Sequence, residues 1–282
     1  MRYLIVIFFP LTFIVTNAFA WGNVGHRLVA QIAYDELTPQ AKAKIDNLTA
    51  VYFHSPYPEA RFLRAATWPD TIRKKAPGYN AWHYSDAPFV KDNIRPPMQN
   101  SENVAWAIVR AEHIISDPKS TQAERATNLS FLIHFVGDIH QPLHCVSLYS
   151  NQFPEGDRGG NLYRIQSVSV DNLHGYWDQG LGLLYSAPHA PYLFRYQQIQ
   201  VLAKQWMARY PRAFFGPRLT EKSTNSWAKE GYNLSTTFAY TIPQNAAPND
   251  RYVQEGQAIV RAQIVLAGYR LADILNVIFS GS

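Results

Sequence analysis

The chain has 282 residues, a formal net charge of +5 and one cysteine, Cys145. Lone Cys145 excludes a disulfide framework, so stability must come from a good core or from a metal. Glycine, proline and charge are spread without blocks or repeats, which excludes a low-complexity or solenoid chain, and the mild positive charge suits an anionic substrate without specifying one.

The first twenty residues read as a secretory signal peptide. Arg2 supplies the charge, Leu4 to Val15 the apolar core, and Ala18-Phe19-Ala20 a small-x-small cleavage site. The apolar run carries Pro10 and is short for a membrane span, which takes about 20 residues. Cleavage after Ala20 leaves Trp21 as the mature N-terminus and places the protein outside the cell or in the periplasm. Residues 21–282 read as one domain, and no later segment reads as a membrane span.

Helical signals dominate that domain. Val24, Leu28, Ile32 and Leu37 recur at near-helical spacing, and Thr38-Pro39 reads as a cap followed by proline at the first helical position. Ser101-Glu102 opens a helix to about Ile115. Ser120 opens another, with Leu129, Leu132, Ile133 and Val136 on one face until Pro142. Tyr84 to Gln99 reads as proline-bearing loop. Asp157-Arg158-Gly159-Gly160-Asn161 is turn chemistry, and Leu162 to Val170 alternates as a hairpin strand would. Asn249 to Phe279 reads as a long helix with Ile259, Val260, Gln263, Ile264, Ala267 and Leu271 buried. The expected fold is an all-α domain with a small β-hairpin insert.

Histidine and aspartate carry the chemistry. His134 and Asp138 lie four apart on a helix, so both project from one face, and His174 and Asp178 repeat the spacing. One such pair alone would read as a buried ion pair. Two pairs, with His144 just beyond the first helix, point to a nitrogen and oxygen donor set that zinc accepts. His26 follows Trp21 closely, and a free amine on Trp21 could chelate a metal with its own carbonyl. Asp70, with Arg73 one turn later, and His83, with Asp86 three residues on, fit the same site. Each would read as structural in isolation. His140, His54, His113 and His189 read as structural or surface residues, and Cys145 as a buried thiol.

The motifs Trp21-Gly-x-x-Gly-His26, Trp68-x-Asp70-x-x-Arg73, Trp82-His83-Tyr84-x-Asp86, His134-x-x-x-Asp138-x-x-x-x-x-His144 and His174-x-x-x-Asp178 follow one another in fixed order across the mature chain. In this the chain resembles the secreted single-strand-specific zinc nucleases of fungi and plants, which share a superfamily with bacterial zinc-dependent phospholipase C. The resemblance implies three zinc ions. Asp70, His83, His134 and Asp138 would hold the first; His144, His174 and Asp178 the second; Trp21, His26 and Asp138 the third. Arg73 would clamp a phosphate oxygen beside Asp70 and Asp138, while Tyr84, Asp86 and Asn161 would receive a base.

The activity so implied is hydrolysis of single-stranded DNA and RNA to 5′-phosphate products, and of 3′-nucleotides. The competing activity is a phospholipase C-like attack on phospholipid head groups, which the metal ligands cannot separate from the first. A third reading, structural zinc without catalysis, fits poorly because structural sites are usually closed and thiolate-rich. The lack of disulfides departs from the fungal and plant pattern and suggests a bacterial relative. No obligate protein partner is implied.

Overall fold

The computed structural model describes residues 21–73, 76–184 and 192–280. The leader read over residues 1–20, and His189, lie outside them. Val24, Leu28 and Ile32 fall on helix α1 (Asn23–Asp35). Thr38 then caps α2 (Pro39–Thr49), its hydroxyl accepting the Ala41 N–H at 3.2 Å. Short helices α3 (Pro58–Ala65) and α4 (Trp68–Arg73) lead to a 3-10 turn over Pro77–His83. Helix α5 (Val104–Ser116) starts after the expected Ser101, because Asn103 supplies the cap: its Oδ1 accepts from Ala105 and Trp106.

Helix α6 (Gln122–Ile139) is the hub of the fold. Thr121, not Ser120, caps it through a reciprocal pair of bonds with Glu124. The expected stripe Leu129, Leu132, Ile133 and Val136 is fully buried, and so is Phe135 on another face. Helices α1, α2, α5 and α12 (Asp250–Ser280) all pack on α6, so it needs no polar face.

The small β element differs from the expected hairpin. Strands β1 (Ala87–Val90) and β2 (Val146–Tyr149) pair in parallel, with Ala87 opposite Val146 and Val90 opposite Tyr149. Strand β1 arises inside the segment read as loop. Over Leu162–Val170 there is instead an isolated antiparallel bridge between Arg164 and Asn172. Tyr163 and Ile165 there are buried while Val168 is exposed, so the alternation reflects one-sided burial without a partner strand.

The chain continues through α7 (Leu173–Asp178), α8 (Tyr192–Arg209), α9 (Arg212–Phe215), α10 (Pro217–Thr220) and α11 (Thr224–Thr237) to α12. In α12 Val260, Gln263, Ile264, Ala267 and Leu271 are buried as expected, while Ile259 is half-buried. Contrary to expectation, α12 is long and apolar enough to cross a membrane, yet most of that stretch is buried in the protein. At Gly268 a Cβ would lie 2.5 Å from Ile32, so glycine lets α12 cross α1 closely.

Candidate metal centre

Helix α1 brings His26, α4 brings Asp70, and the Pro77–His83 turn brings His83. Helix α6 adds His134 and Asp138, a second 3-10 turn (Pro142–Cys145) adds His144, and α7 adds His174 and Asp178. All these side chains are buried. They form three groups, His26–His134–Asp138, Asp70–His83–His134 and His144–His174–Asp178, with the donor atoms of each within 4.8 Å of one another.

The spacings suit a cation. His83 Nδ1 lies 3.1 Å from His134 Nε2 and 3.0 Å from Asp138 Oδ2, and His134 Nε2 lies 3.3 Å from Asp138 Oδ2. Asp70 Oδ1 is 3.9 Å from His83 Nδ1 and 3.7 Å from His134 Nε2. A tetrahedral ion with ligands at about 2.0–2.1 Å separates its donors by roughly 3.3 Å. On the other side of Asp138, His26 Nε2 is 3.4 Å from Oδ1. Asp138 thus presents Oδ1 to His26 and Oδ2 to His83 and His134.

Backbone carbonyls set the histidine tautomers. His134 Nδ1–H donates to Ala66 O at 2.7 Å, His144 Nδ1–H to His83 O at 2.7 Å, and His174 Nδ1–H to Gly159 O at 2.6 Å. Each bond leaves Nε2 with its lone pair free to ligate. Gly159 has φ +62°, and a Cβ there would lie 2.4 Å from Leu143 O. Glycine is therefore what lets the turn place its carbonyl against His174.

The electrostatics divide the ligands into imidazoles that are already neutral and groups, His134 and Asp178, that give up a proton when a cation binds. Burial pushes His144 down to about 3 and His174 down to about 4, so both are neutral ligands near pH 7. Burial also opposes charge on His134, but the Asp138 and Asp70 carboxylates outweigh it and raise it to about 9. Burial raises Asp178 well above the usual carboxylate range. Both ring nitrogens of His26, Asp70 Oδ1, Asp138 Oδ1, His144 Nε2 and Asp178 Oδ2 are buried without a hydrogen-bond partner. Each such atom costs about 1–3 kcal/mol. Cations among them would remove that cost, and the all-nitrogen-and-oxygen donor set fits zinc.

Two close approaches support the centre. A Cβ on Gly137 would lie 2.7 Å from His26 Nδ1, so α6 must be bare there for α1 to dock. Trp21 is fully buried, and the next N–H, of Gly22, donates to Asp178 O at 2.9 Å. That bond ties the start of the described chain to the far end of the ligand set.

One residue that the sequence reading passed over sits between Asp138 and His144. Gln141 is fully buried; its Nε2–H donates to Asp178 Oδ1 at 2.7 Å and its Oε1 accepts the Leu143 N–H at 2.6 Å. It leaves Asp178 Oδ2 as the oxygen free for a cation. An amide trapped between two motif residues was the available signal.

Arg73 Nη1 lies 3.9 Å from Asp70 Oδ1, and its charge also acts on Tyr84, His174 and Asp178. It therefore faces the centre. Tyr84 and Asp86 line a cavity of about 170 Å³ with Met98 and Tyr149. Burial, with Asp157 nearby, raises the Asp86 carboxyl to about 7. Asn161 does not line that cavity; its amide donates to Arg158 O at 2.7 Å within the Asp157–Asn161 turn. Arg158 electrostatically links that turn to Tyr84 and Asp86. His140 turns away, donating from Nδ1 to Val136 O and accepting at Nε2 from Arg270. Cys145 is a buried thiol, and burial raises its pKa. His54 and His113 belong to none of the three groups.

A family model for the S1/P1 nuclease matches residues 21–280. The chain belongs to the S1/P1 nuclease family. It is 28% identical to Endonuclease 3 of Arabidopsis thaliana, over 99% of this chain and 96% of that protein. It is 25% identical to Nuclease S1 of Aspergillus oryzae, over 93% of each chain, and 26% identical to Nuclease P1 of Penicillium citrinum, over 91% of this chain and 97% of that one. As an S1/P1 nuclease it is a hydrolase of phosphodiester bonds acting on nucleic acid. Its buried histidine and aspartate groups are able to bind metal.

Proposed function

We propose that this S1/P1 nuclease is an exported enzyme that holds three zinc ions and cleaves single-stranded DNA and RNA to 5′-phosphate products, and that it dephosphorylates 3′-nucleotides. The observation that carries the reading is the set of three buried donor groups, two of them sharing His134, beside the cavity lined by Tyr84 and Asp86. The ligand assignment is Asp70, His83, His134 and Asp138 for one ion, His144, His174 and Asp178 for another, and Trp21, His26 and Asp138 for the third. Export and a mature domain of residues 21–282 belong to the proposal, because the third set needs the Trp21 amine.

When bound, such ions acidify water and neutralise phosphate charge during an in-line displacement. The protein's own groups do the rest. Arg73 takes a non-bridging phosphate oxygen, giving up part of its attraction to Asp70. Asp138 keeps two donor groups at fixed separation, one oxygen to each. Gln141 and the Gly159 carbonyl hold Asp178 and His174 in their ligating orientations. Tyr84 stacks on an unpaired base and Asp86 accepts from its edge. Asn161 supplies a further polar contact through the Arg158 turn. Stacking needs a base out of the duplex, which accounts for single-strand preference without groove reading.

The test is product analysis on single-stranded DNA, RNA, 3′-nucleotides and phosphatidylcholine, with zinc quantified alongside. Release of 5′-phosphate ends from single strands, at three zincs per chain, is the expected result. Release of phosphorylcholine with single-stranded DNA left intact would replace this reading by a phospholipase C-like one.

A further inference from the structure

A second, larger cavity of about 330 Å³ adjoins the one lined by Tyr84 and Asp86, and Ser85, Pro88, Gln99 and Asn103 line both. Its far wall is one face of α11. Asn225, Ala228, Lys229 and Tyr232 follow the helical spacing that puts them in a single stripe, and Ala228 keeps the middle of that stripe low. The Tyr232 hydroxyl donates to Pro88 O at 3.4 Å, which joins the α11 wall to β1.

The lining chemistry is selective. Lys229 is the one charged residue among the lining residues, and no carboxylate lines the space. Lys229 makes no ion pair among the described residues. Neutral amides come from Gln99, Asn103 and Asn225. Gln99 donates to Ser85 O at 3.3 Å, which leaves its oxygen available, whereas the Asn103 side chain is spent on capping α5. The buried Ser85 hydroxyl lies near the Cys145 thiol without a hydrogen bond of proper geometry. A cation, free amides and no acid describe a place for a phosphodiester with an attached base rather than for a cation or a peptide amine. The volume is of ligand-site size, which starts at about 300 Å³.

Position supplies the rest. The Ser85 N–H donates to His144 O at 2.8 Å, so the shared wall begins beside the metal ligands. The Tyr84–Asp86 cavity and the α11 cavity meet along this wall. We propose that the α11 cavity is a second nucleotide subsite. It holds the nucleotide next along the strand from the one at Tyr84 and Asp86, with Lys229 on the intervening phosphate and Gln99 and Asn225 beside the base. The inference rests on reading the Tyr84–Asp86 cavity as the base site.

The experiment compares kcat/KM for a thymidine dinucleoside monophosphate with that for a thymidine octanucleotide. Wild type should favour the octamer, and Lys229→Ala should cut the octamer-to-dimer ratio by about fivefold to tenfold. Its salt slope on the octamer should be shallower by about 0.7. The double variant Gln99→Ala, Asn225→Ala should also lower the ratio, with the salt slope kept. Lys42→Ala, which removes an equal charge from over the Tyr34 ring, is the control and should leave ratio and slope as in wild type. An unchanged ratio in both groove variants overturns the subsite. A ratio lowered equally by Lys42→Ala also overturns it, by showing a general charge effect. Failure of the base-site reading is seen separately, as a Tyr84→Ala enzyme with unaltered KM for the dimer.

Discussion

The His26 ring lies flat on the His134 ring, with centroids 3.9 Å apart and planes 13° from parallel. One residue comes from α1 and the other from α6, and both face Asp138. The stack brings the two donor groups together, and Asp138 faces both. Asp138→Asn should therefore lose two metal equivalents, whereas His174→Ala should lose one. Elemental analysis of the purified variants checks this, and equal losses would break the bridging assignment.

Gln141 grips Asp178 from behind. Gln141→Ala should weaken metal binding at the His144–His174–Asp178 group by about 10- to 100-fold, the usual effect of removing a partner that orients a ligand. Chelator competition followed by metal counting would measure it. Affinity equal to wild type would mean that packing alone orients Asp178.

Gly137 and Gly78 make a matched pair. A Cβ at Gly137 meets His26 at 2.7 Å, while one at Gly78 meets nothing within 4 Å. Gly137→Ala should cost about 1–3 kcal/mol of metal-free stability, as overpacking does. Gly78→Ala should stay within about 0.5 kcal/mol of wild type. Urea unfolding of the metal-free proteins separates them.

The Asp86 carboxyl gives a pH signature. Burial raises its folded pKa to about 7 from an ordinary 3.8. A raised carboxyl pKa means that the folded state holds the proton more tightly, so its stabilising contribution is complete below about pH 4 and is lost as pH rises through 7. Asp86→Asn should gain stability over wild type across that window and hold the gain above it. Asparagine also tolerates the backbone there, where Asp86 has φ +48°. In function the sign reverses. The ionised carboxylate is the stronger acceptor for a base edge, so substrate affinity should fall below about pH 7 in wild type and stay level in Asp86→Asn. Melting temperatures and KM across pH 5 to 9 test both halves.

Trp21 tests the link between processing and chemistry. One extra residue ahead of it should remove one metal equivalent and sharply reduce turnover. A variant of that kind with three metals and full activity would refute the amine chelate.

Much of this was readable in the sequence because helical spacing is local. His134 with Asp138, and His174 with Asp178, sit on helices that project both side chains one way, and Thr38 and Pro39 announce α2 by local chemistry. What escaped is non-local. Strand β1 exists because β2 lies beside it, and nothing within residues 87–90 says so. Gln141 acquires its role from Asp178, 37 residues away, and the Gly159 carbonyl acquires its role from His174. The cap of α5 moved from Ser101 to Asn103, since neighbouring polar residues compete for one job and tertiary packing chooses.

The ligands from His26 to Asp178 are dispersed over six elements, four of them helices. No single element carries a complete donor group. A chain crossing a membrane unfolded would thus travel without its ions and acquire them where it folds. The local metal supply at its destination, rather than that of the compartment of synthesis, would then govern how much of the enzyme becomes active.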